Sequence, residues 1–363
     1  MRIVIDARES GSSTGRYVDK LIEHMHPLKP EFGITVLTKS ARVEFMQKIA
    51  PQFTVVESNF KEFTFAEQLG LLSQIRGLKA DLVHFTMTQQ PILYRGKAVT
   101  TVHDLTTARF TNPAKNLVVF KIKQLVYRWV IRLVAKKSKK VIVPTEYVKQ
   151  DLVNYAHIKA DKVEVNYEAA DKITVKPVPV GGLKSREFIM YLGRPLPHKN
   201  LGRLLEAYKL ISEMHPDLKL VLAGRKDKLY ERYEQEIRQD NIRNVVFPGF
   251  VSEGQLRWLY ENCAAYVFPS LSEGFGLPGL EAMAHGAPVV SSQATSLPEI
   301  YGDAAIYFDP RNVDDMAAKI SSVLDNKKLA QELSKKGLAQ AAKFSWKKMA
   351  QQTLDVYQEV LSS

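Results

Sequence analysis

The stretch Ala264-Ala-Tyr-Val-Phe-Pro-Ser-Leu-Ser-Glu-Gly-Phe-Gly-Leu-Pro-Gly-Leu-Glu-Ala-Met-Ala284 changes character twice. Ala264–Phe268 is a short, continuous apolar run of the kind that fills a buried parallel strand. Pro269–Gly276 is a turn of small residues. From Leu277 the pattern is helical, with Pro278 in the first turn, where its missing N–H costs nothing. A strand passing through a glycine-rich turn straight into a helix is half of a βαβ unit. Gly274, Gly276 and Gly279 let the backbone approach a ligand closely. The free N–H groups at the helix start, at the positive end of its dipole, suit a diphosphate. Glu273 stands in the loop and Glu281 about one turn inside the helix, with seven residues between them. Glu273 can then reach one side of the ligand. Glu281 can accept hydrogen bonds from the adjacent hydroxyls of a sugar or ribose. One glutamate here would be explained by the helix dipole alone; two flanking three glycines call for more.

The same alternation extends in both directions. Phe188–Leu192, Leu218–Ala223, Val245–Phe250 and Pro288–Ser291 read as further strands of the second half, and Leu201–Glu213 reads as a helix. Lys172–Leu183 holds Pro177, Pro179, Gly181 and Gly182, which is linker chemistry. Before it, Arg2–Ala7, Gly33–Leu37, Asp81–Phe85, Ala98–His103 and Lys140–Pro144 read as strands, and Tyr17, Val18, Leu21 and Ile22 mark a helix after the first loop. The expectation is α/β, with two doubly wound halves and a cleft between them. Ligands in such sheets bind beyond the carboxyl ends of the strands.

Two more loops carry candidate residues. In Tyr191-Leu-Gly-Arg-Pro-Leu-Pro-His-Lys-Asn200, Arg194 can offer a planar fork and Lys199 a point charge, converging on a diphosphate. In Val99-Thr-Thr-Val-His-Asp104, His103 ends a strand and can bond a substrate hydroxyl or transfer a proton. Taken singly, each residue has a bland reading as a solvated cation or a structural histidine; His84, His198 and His285 stay unassigned. Other chemistries lose ground. The first loop offers only Gly11 and Gly15, neither G-x-G-x-x-G nor a P-loop, and the chain has no H-E-x-x-H and no G-x-S-x-G.

These residues, in this order, resemble family 4 retaining glycosyltransferases. Ser270–Val290 looks like the family's E-x7-E signature. Gly193-Arg194 with Lys199-Asn200-Leu201 is similar to its phosphate-binding segment, and Thr101–Leu105 to its His-Asp strand end. Val143–Val148, Ser296–Glu299 and Phe344–Trp346 resemble further markers, so the likeness spans essentially the whole chain. It implies the GT-B fold: an N-terminal acceptor-side Rossmann-like domain over 1–178, completed by a C-terminal helix over 346–363, and a donor-binding domain over 179–345. It implies that Glu281 binds the donor ribose and Glu273 the hydroxyls of the transferred sugar. Backbone amides around Gly274, Phe275, Gly276 and Leu277 would contact sugar and diphosphate, and Gly15 would lie against the phosphates. Arg194 and Lys199 would neutralise the departing diphosphate, with His103 near the reacting centre. The first loop departs from the family's adjacent glycines, reading Gly-Ser-Ser-Thr-Gly over 11–15. The expected activity is retaining, front-face transfer of a hexose, mannose from GDP-mannose by weak preference. No cofactor and no metal are expected. The acceptor would be a glycan or a lipid-linked glycan. A non-catalytic sugar-nucleotide binding module and a phosphorylase-like enzyme of the same fold are the alternatives.

Composition fits this reading. The chain has 363 residues, 45% apolar and 25% charged, which suits two domains at roughly 100–200 residues each. A single cysteine, Cys263, excludes an intrachain disulfide framework. Nothing resembles a membrane span or a signal peptide, and the expected location is the cytosol. The net charge is +12. Residues 1–180 hold 28 basic and 17 acidic side chains, so +11 of it lies there, which suggests an anionic partner. From Leu105 to Thr145 there is no acidic residue, while the basic helix over 115–140 carries Val118, Ile122, Leu125, Trp129 and Leu133 at helical spacing. Either that stripe packs into the first domain, or the helix lies on an anionic membrane surface at the inner face. Nucleic acid is not expected, because no recognition motif accompanies the charge.

Overall fold

A computed structural model describes residues 1–12, 14–110 and 117–363, the side chains of 117–119 excepted. The chain forms two compact units. One comprises Met1–Ala108, Ile122–Glu168 and Ser345–Ser363, and the other Arg109–Lys121 and Ala169–Phe344. Residues 169–178, expected with the first domain, group with the second. The Ile173 N–H bonds His285 Nε2 at 3.0 Å, Arg257 reaches the Thr174 and Val175 carbonyls, and the Val178 N–H bonds the Gly254 carbonyl at 2.9 Å.

The first unit's sheet contains β1 (Arg2–Asp6), β2 (Gly33–Thr38), β3 (Thr54–Glu57), β4 (Leu82–Phe85), β5 (Ala98–Thr101), β6 (Lys140–Val143) and β7 (Val163–Val165), in the order β3-β2-β1-β4-β5-β6-β7. The second contains β8 (Phe188–Leu192), β9 (Lys219–Ala223), β10 (Val245–Gly249), β11 (Ala265–Phe268), β12 (Val289–Ser292) and β13 (Ala305–Phe308), in the order β10-β9-β8-β11-β12-β13. Every pairing in both sheets is parallel. Both are therefore doubly wound Rossmann-like sheets. Strand order reverses between β1 and β4 in one and between β8 and β11 in the other, and such switch points are where ligands bind. Each unit has its own core. Leu204, Tyr208, Leu220, Val267 and Ile320 belong to that of the second, while Val4, Val83 and Phe85 form one of the clusters in the first.

The helix expected after the first loop is Gly15–Met25, with Tyr17, Val18, Leu21 and Ile22 buried. The last helix, Trp346–Ser362, belongs to the first unit and packs on Gly15–Met25. Its Tyr357 Oη lies 2.6 Å from His84 Nδ1 on β4, and its Thr353 Oγ1 accepts from Asn166 Nδ2 at 3.1 Å. Strand β5 stops at Thr101, so His103 lies two residues beyond the strand rather than ending it.

The basic helix spans Leu117–Lys137. Its inward face is Gln124, Tyr127, Ile131, Val134 and Ala135, all buried. Ile122, Leu125, Val126 and Trp129 are 58%, 62%, 52% and 54% exposed. The reading in which Ile122, Leu125 and Trp129 pack into the first domain is thus overturned for those three. Lys115 and the side chain of Val118 lie outside the described residues. Among the described residues, no helix is long and apolar enough to cross a membrane.

Candidate active site

The glycine-rich turn lies at the carboxyl end of β11 and leads into the helix Leu277–Ala284. Gly276 caps that helix at φ +94°, a left-handed conformation that glycine adopts without strain. The Tyr301 hydroxyl donates to the Gly276 carbonyl at 2.6 Å, and a Cβ on Gly279 would lie 2.2 Å from Tyr301 Oη. Gly276 and Gly279 thus serve the close approach of a buried tyrosine, and the Gly276 carbonyl also accepts the Gly279 and Leu280 N–H groups at 3.2 and 3.4 Å. Glu281 is buried, and Tyr260 Oη donates to its Oε2 at 3.3 Å. One turn on, His285 bonds the Glu281 carbonyl through Nδ1 at 2.8 Å and accepts the Ile173 N–H at Nε2. That pattern specifies a neutral imidazole with its proton on Nδ1.

Strand β8 pairs with β11, so the loop after β8 stands beside this turn. Asn200 joins the two loops. It sits at φ +60°, which asparagine tolerates, and its Nδ2 donates to the Pro269 and Pro310 carbonyls at 3.0 and 2.7 Å. The Leu271 N–H bonds the His198 carbonyl at 2.7 Å. This frame brings Lys199 Nζ to 2.6 Å from Glu273 Oε1, with side chains only 19% and 12% exposed. Thr295 Oγ1 accepts the Glu273 N–H and Ser296 Oγ donates to the Glu273 carbonyl, both at 3.0 Å. Arg194 is held elsewhere: its Nε bonds Asp227 Oδ2 at 2.6 Å and its side chain is 54% exposed. Burial would raise the Asp227 carboxyl, but Arg194 and the N–H groups of Tyr230 and Leu229 outweigh it and hold the group below its usual range. The two cations expected to converge are therefore each paired with a different carboxylate.

In the first unit, Gly15 is required by its own loop, since a Cβ there would lie 1.8 Å from the Glu9 carbonyl oxygen. Gly11 sits at φ +78°. His103 Nε2 is 3.0 Å from the Thr86 carbonyl and Nδ1 is 3.5 Å from Glu168 Oε1. Both ring nitrogens face acceptors, an arrangement that favours the doubly protonated ring. Burial would lower the pKa of His103, but the Glu168 carboxylate, the Thr86 carbonyl and Asp104 outweigh it and raise it. His84 shows the opposite case, pushed down to about 3 by burial and by the His103 charge. A cavity of about 440 Å³ adjoins His103, with Asp104, Thr88, Gln89, Lys123 and Tyr127 among its walls.

The description "Glycosyltransferase Family 4" matches residues 14–172 and "Glycosyl transferases group 1" matches 179–340. The O-antigen chain mannosyltransferase B of Escherichia coli is 32% identical over 277 residues, covering 72% of this chain and 70% of the relative. The chain belongs to the family 4 glycosyltransferases. Sucrose-phosphate synthase from Thermosynechococcus elongatus superposes with a TM-score of 0.79 at 17% identity, covering 100% and 99% of the two chains. Anabaena HepE, solved in complex with UDP and glucose, does so with 0.74 at 17% identity, covering 99% and 100%. The glycosyltransferase therefore has the GT-B fold.

Several residues framing the transferase's site escape sequence reasoning. Glu168, Asp227, Tyr260 and Tyr301 lie far from the motifs they support. Asp227 is one of the few with a local signal, as the N-cap that accepts from the Leu229 and Tyr230 N–H groups.

Proposed function

We propose that the enzyme transfers a hexose, with mannose favoured, from a nucleotide-diphosphate donor to a glycan or lipid-linked acceptor, with retention of configuration and without a metal ion. The observation that carries this is the Lys199–Glu273 pair beside the first turn of Leu277–Ala284. The leaving group of the glycosyl donor is a nucleoside diphosphate, which needs no proton but does need positive charge, and groups already aimed at that charge are the effective ones. When the diphosphate arrives, Lys199 exchanges Glu273 for phosphate oxygens, and Glu273 becomes available to hydroxyls of the transferred sugar. The helix start adds to the positive field, Arg194 joins it by exchanging Asp227 for phosphate oxygens, and Glu281 accepts from the ribose. His103 of the first unit, whose Nδ1 lies 3.5 Å from Glu168 Oε1, has a proton to offer a sugar oxygen. The oxocarbenium-like state then collapses onto an acceptor oxygen on the face the diphosphate leaves, the departing phosphate taking the acceptor's proton. Mannose is favoured because the Escherichia coli relative is a mannosyltransferase.

Thermal unfolding with GDP, UDP and ADP, each with and without a chelator, tests the reading. A nucleotide at 100 times its Kd stabilises the protein by about 2.7 kcal/mol. The expected result is a shift with GDP that survives the chelator. No shift with any of the three, or one abolished by the chelator, refutes it. Peripheral membrane association belongs to the same proposal. It is supported by the exposed Ile122, Leu125, Val126 and Trp129 among Lys121, Lys123, Arg128 and Arg132. Vesicles with anionic lipid should pull the protein down at low salt, and failure to do so removes this part.

A further inference from the structure

Phe63 is a strained residue with an exposed ring. Its φ is +61°, a conformation that is an outlier for a bulky side chain and persists only when its surroundings enforce it. The enforcement can be traced. Arg8, fully buried beyond β1, bonds Asp6 and Glu67 Oε1 at 2.8 and 3.0 Å and donates to the Phe60 carbonyl at 2.9 Å. The other oxygen of Glu67 accepts the Phe63 N–H at 2.9 Å, and Thr64 Oγ1 closes the turn on the Lys61 carbonyl at 2.7 Å. A buried ionic group thus holds a surface loop in an unfavourable backbone state. The result is a phenylalanine 52% exposed, its ring 6.3 Å from the Tyr127 ring, on the wall of the cavity that also contains His103.

That wall combines an apolar plate with polar groups around it. Thr88, Gln89, Glu62 and Lys123 line the same space. A pyranose has the matching chemistry, with a face of C–H groups that stacks on an aromatic ring and a rim of hydroxyls that both donate and accept. We propose that Phe63 is the stacking platform of an acceptor subsite for a pyranose ring in the first unit. The proposal rests on the acceptor being a glycan, as set out above, and adds the residue that selects it.

The test uses the full chain with its phenylalanine rings isotopically labelled, the Phe63 signal being identified by its loss in Phe63→Leu. Methyl glycosides of mannose, glucose, galactose and N-acetylglucosamine are titrated separately. At least one should move the Phe63 signal. Phe63→Asn, which tolerates the left-handed conformation, should bind that glycoside roughly threefold to tenfold more weakly, the range of a lost aromatic contact. It should unfold at the same or a higher temperature, and Phe63→Tyr should retain binding. A Phe63 signal unmoved by all four glycosides overturns the proposal, as does unweakened binding by Phe63→Asn. The wild-type titration decides the matter even if a variant folds poorly. Nucleotide-induced stabilisation, read in the same samples, reports on the transferase reading separately. If it persists while the ring signal stays still, the subsite fails and the transferase stands.

Discussion

Gly279→Ala should damage the protein out of proportion to the one methyl it adds. The added Cβ would lie 2.2 Å from Tyr301 Oη and 2.5 Å from Cζ, about an ångström short of the 3.4 Å at which ordinary contact begins. Tyr301 cannot retreat easily, since it is fully buried with the Phe268 ring tilted against it, centroids 6.4 Å apart. Overpacking of this kind costs about 1–3 kcal/mol. Moving the hydroxyl also breaks its 2.6 Å bond to the Gly276 carbonyl, and stranding buried polar groups costs about 1–3 kcal/mol more. Against this, alanine gains about 0.5–1 kcal/mol over glycine in a helix. The net loss is about 1–5.5 kcal/mol, which at about 3 °C per kcal/mol lowers the unfolding temperature of a unit this size by roughly 3–16 °C. Differential scanning fluorimetry with and without nucleotide would measure both the loss and the accompanying drop in nucleotide response. Gly202→Ala is the control. Its Cβ would meet nothing within 4 Å, so it should be neutral or slightly stabilising. If Gly279→Ala melts within about 2 °C of wild type, the reasoning is wrong.

Lys199→Ala should lower turnover by roughly 10²–10³, the scale of losing one preorganised charge-stabilising contact, with the fold intact; near-normal steady-state rates would refute the phosphate role. Glu168→Gln should lower the pKa of His103, read by NMR titration. Because the folded-state value is raised, the His103–Glu168 pair contributes stability below the ordinary histidine value of about 6.5, and that stability fades as pH rises through the raised folded value. Unfolding midpoints across this window should show the dependence in wild type and a weaker one in Glu168→Gln. Tyr357→Phe removes the partner of His84 Nδ1 in a buried setting and should cost about 1–3 kcal/mol in denaturant unfolding, whereas a loss near zero would show that bond to be dispensable.

The central strands and both site loops are legible because buried parallel strands read as uninterrupted apolar runs. The sequence reading passes over β3, β7 and β13, and all three are sheet edges. Thr54–Glu57 is only partly buried and Val163–Val165 has three residues, so neither presents a buried-strand run. The basic helix misleads for another reason. Apolar residues occupy two of its faces, and spacing alone does not say which one turns inward. The pairing of Lys199 with Glu273 could be anticipated from two strand ends of one half-sheet. The pairing of Arg194 with Asp227, or of Tyr301 with Gly276, depends on tertiary approach that no local pattern records.

The helix Trp346–Ser362 completes the unit that Met1 begins, with the whole of Ala169–Phe344 made in between. On the ribosome, His84 and the helix Gly15–Met25 must wait for Tyr357 and its neighbours while the second unit is synthesised and free to fold. Chains generally fold domain by domain from the N-terminus; here the first unit gains its last helix only after the second has been made. A message cut short after the second unit would therefore yield a chain whose first unit exposes unpaired apolar surface, and quality-control machinery can recognise such a chain before it meets a substrate.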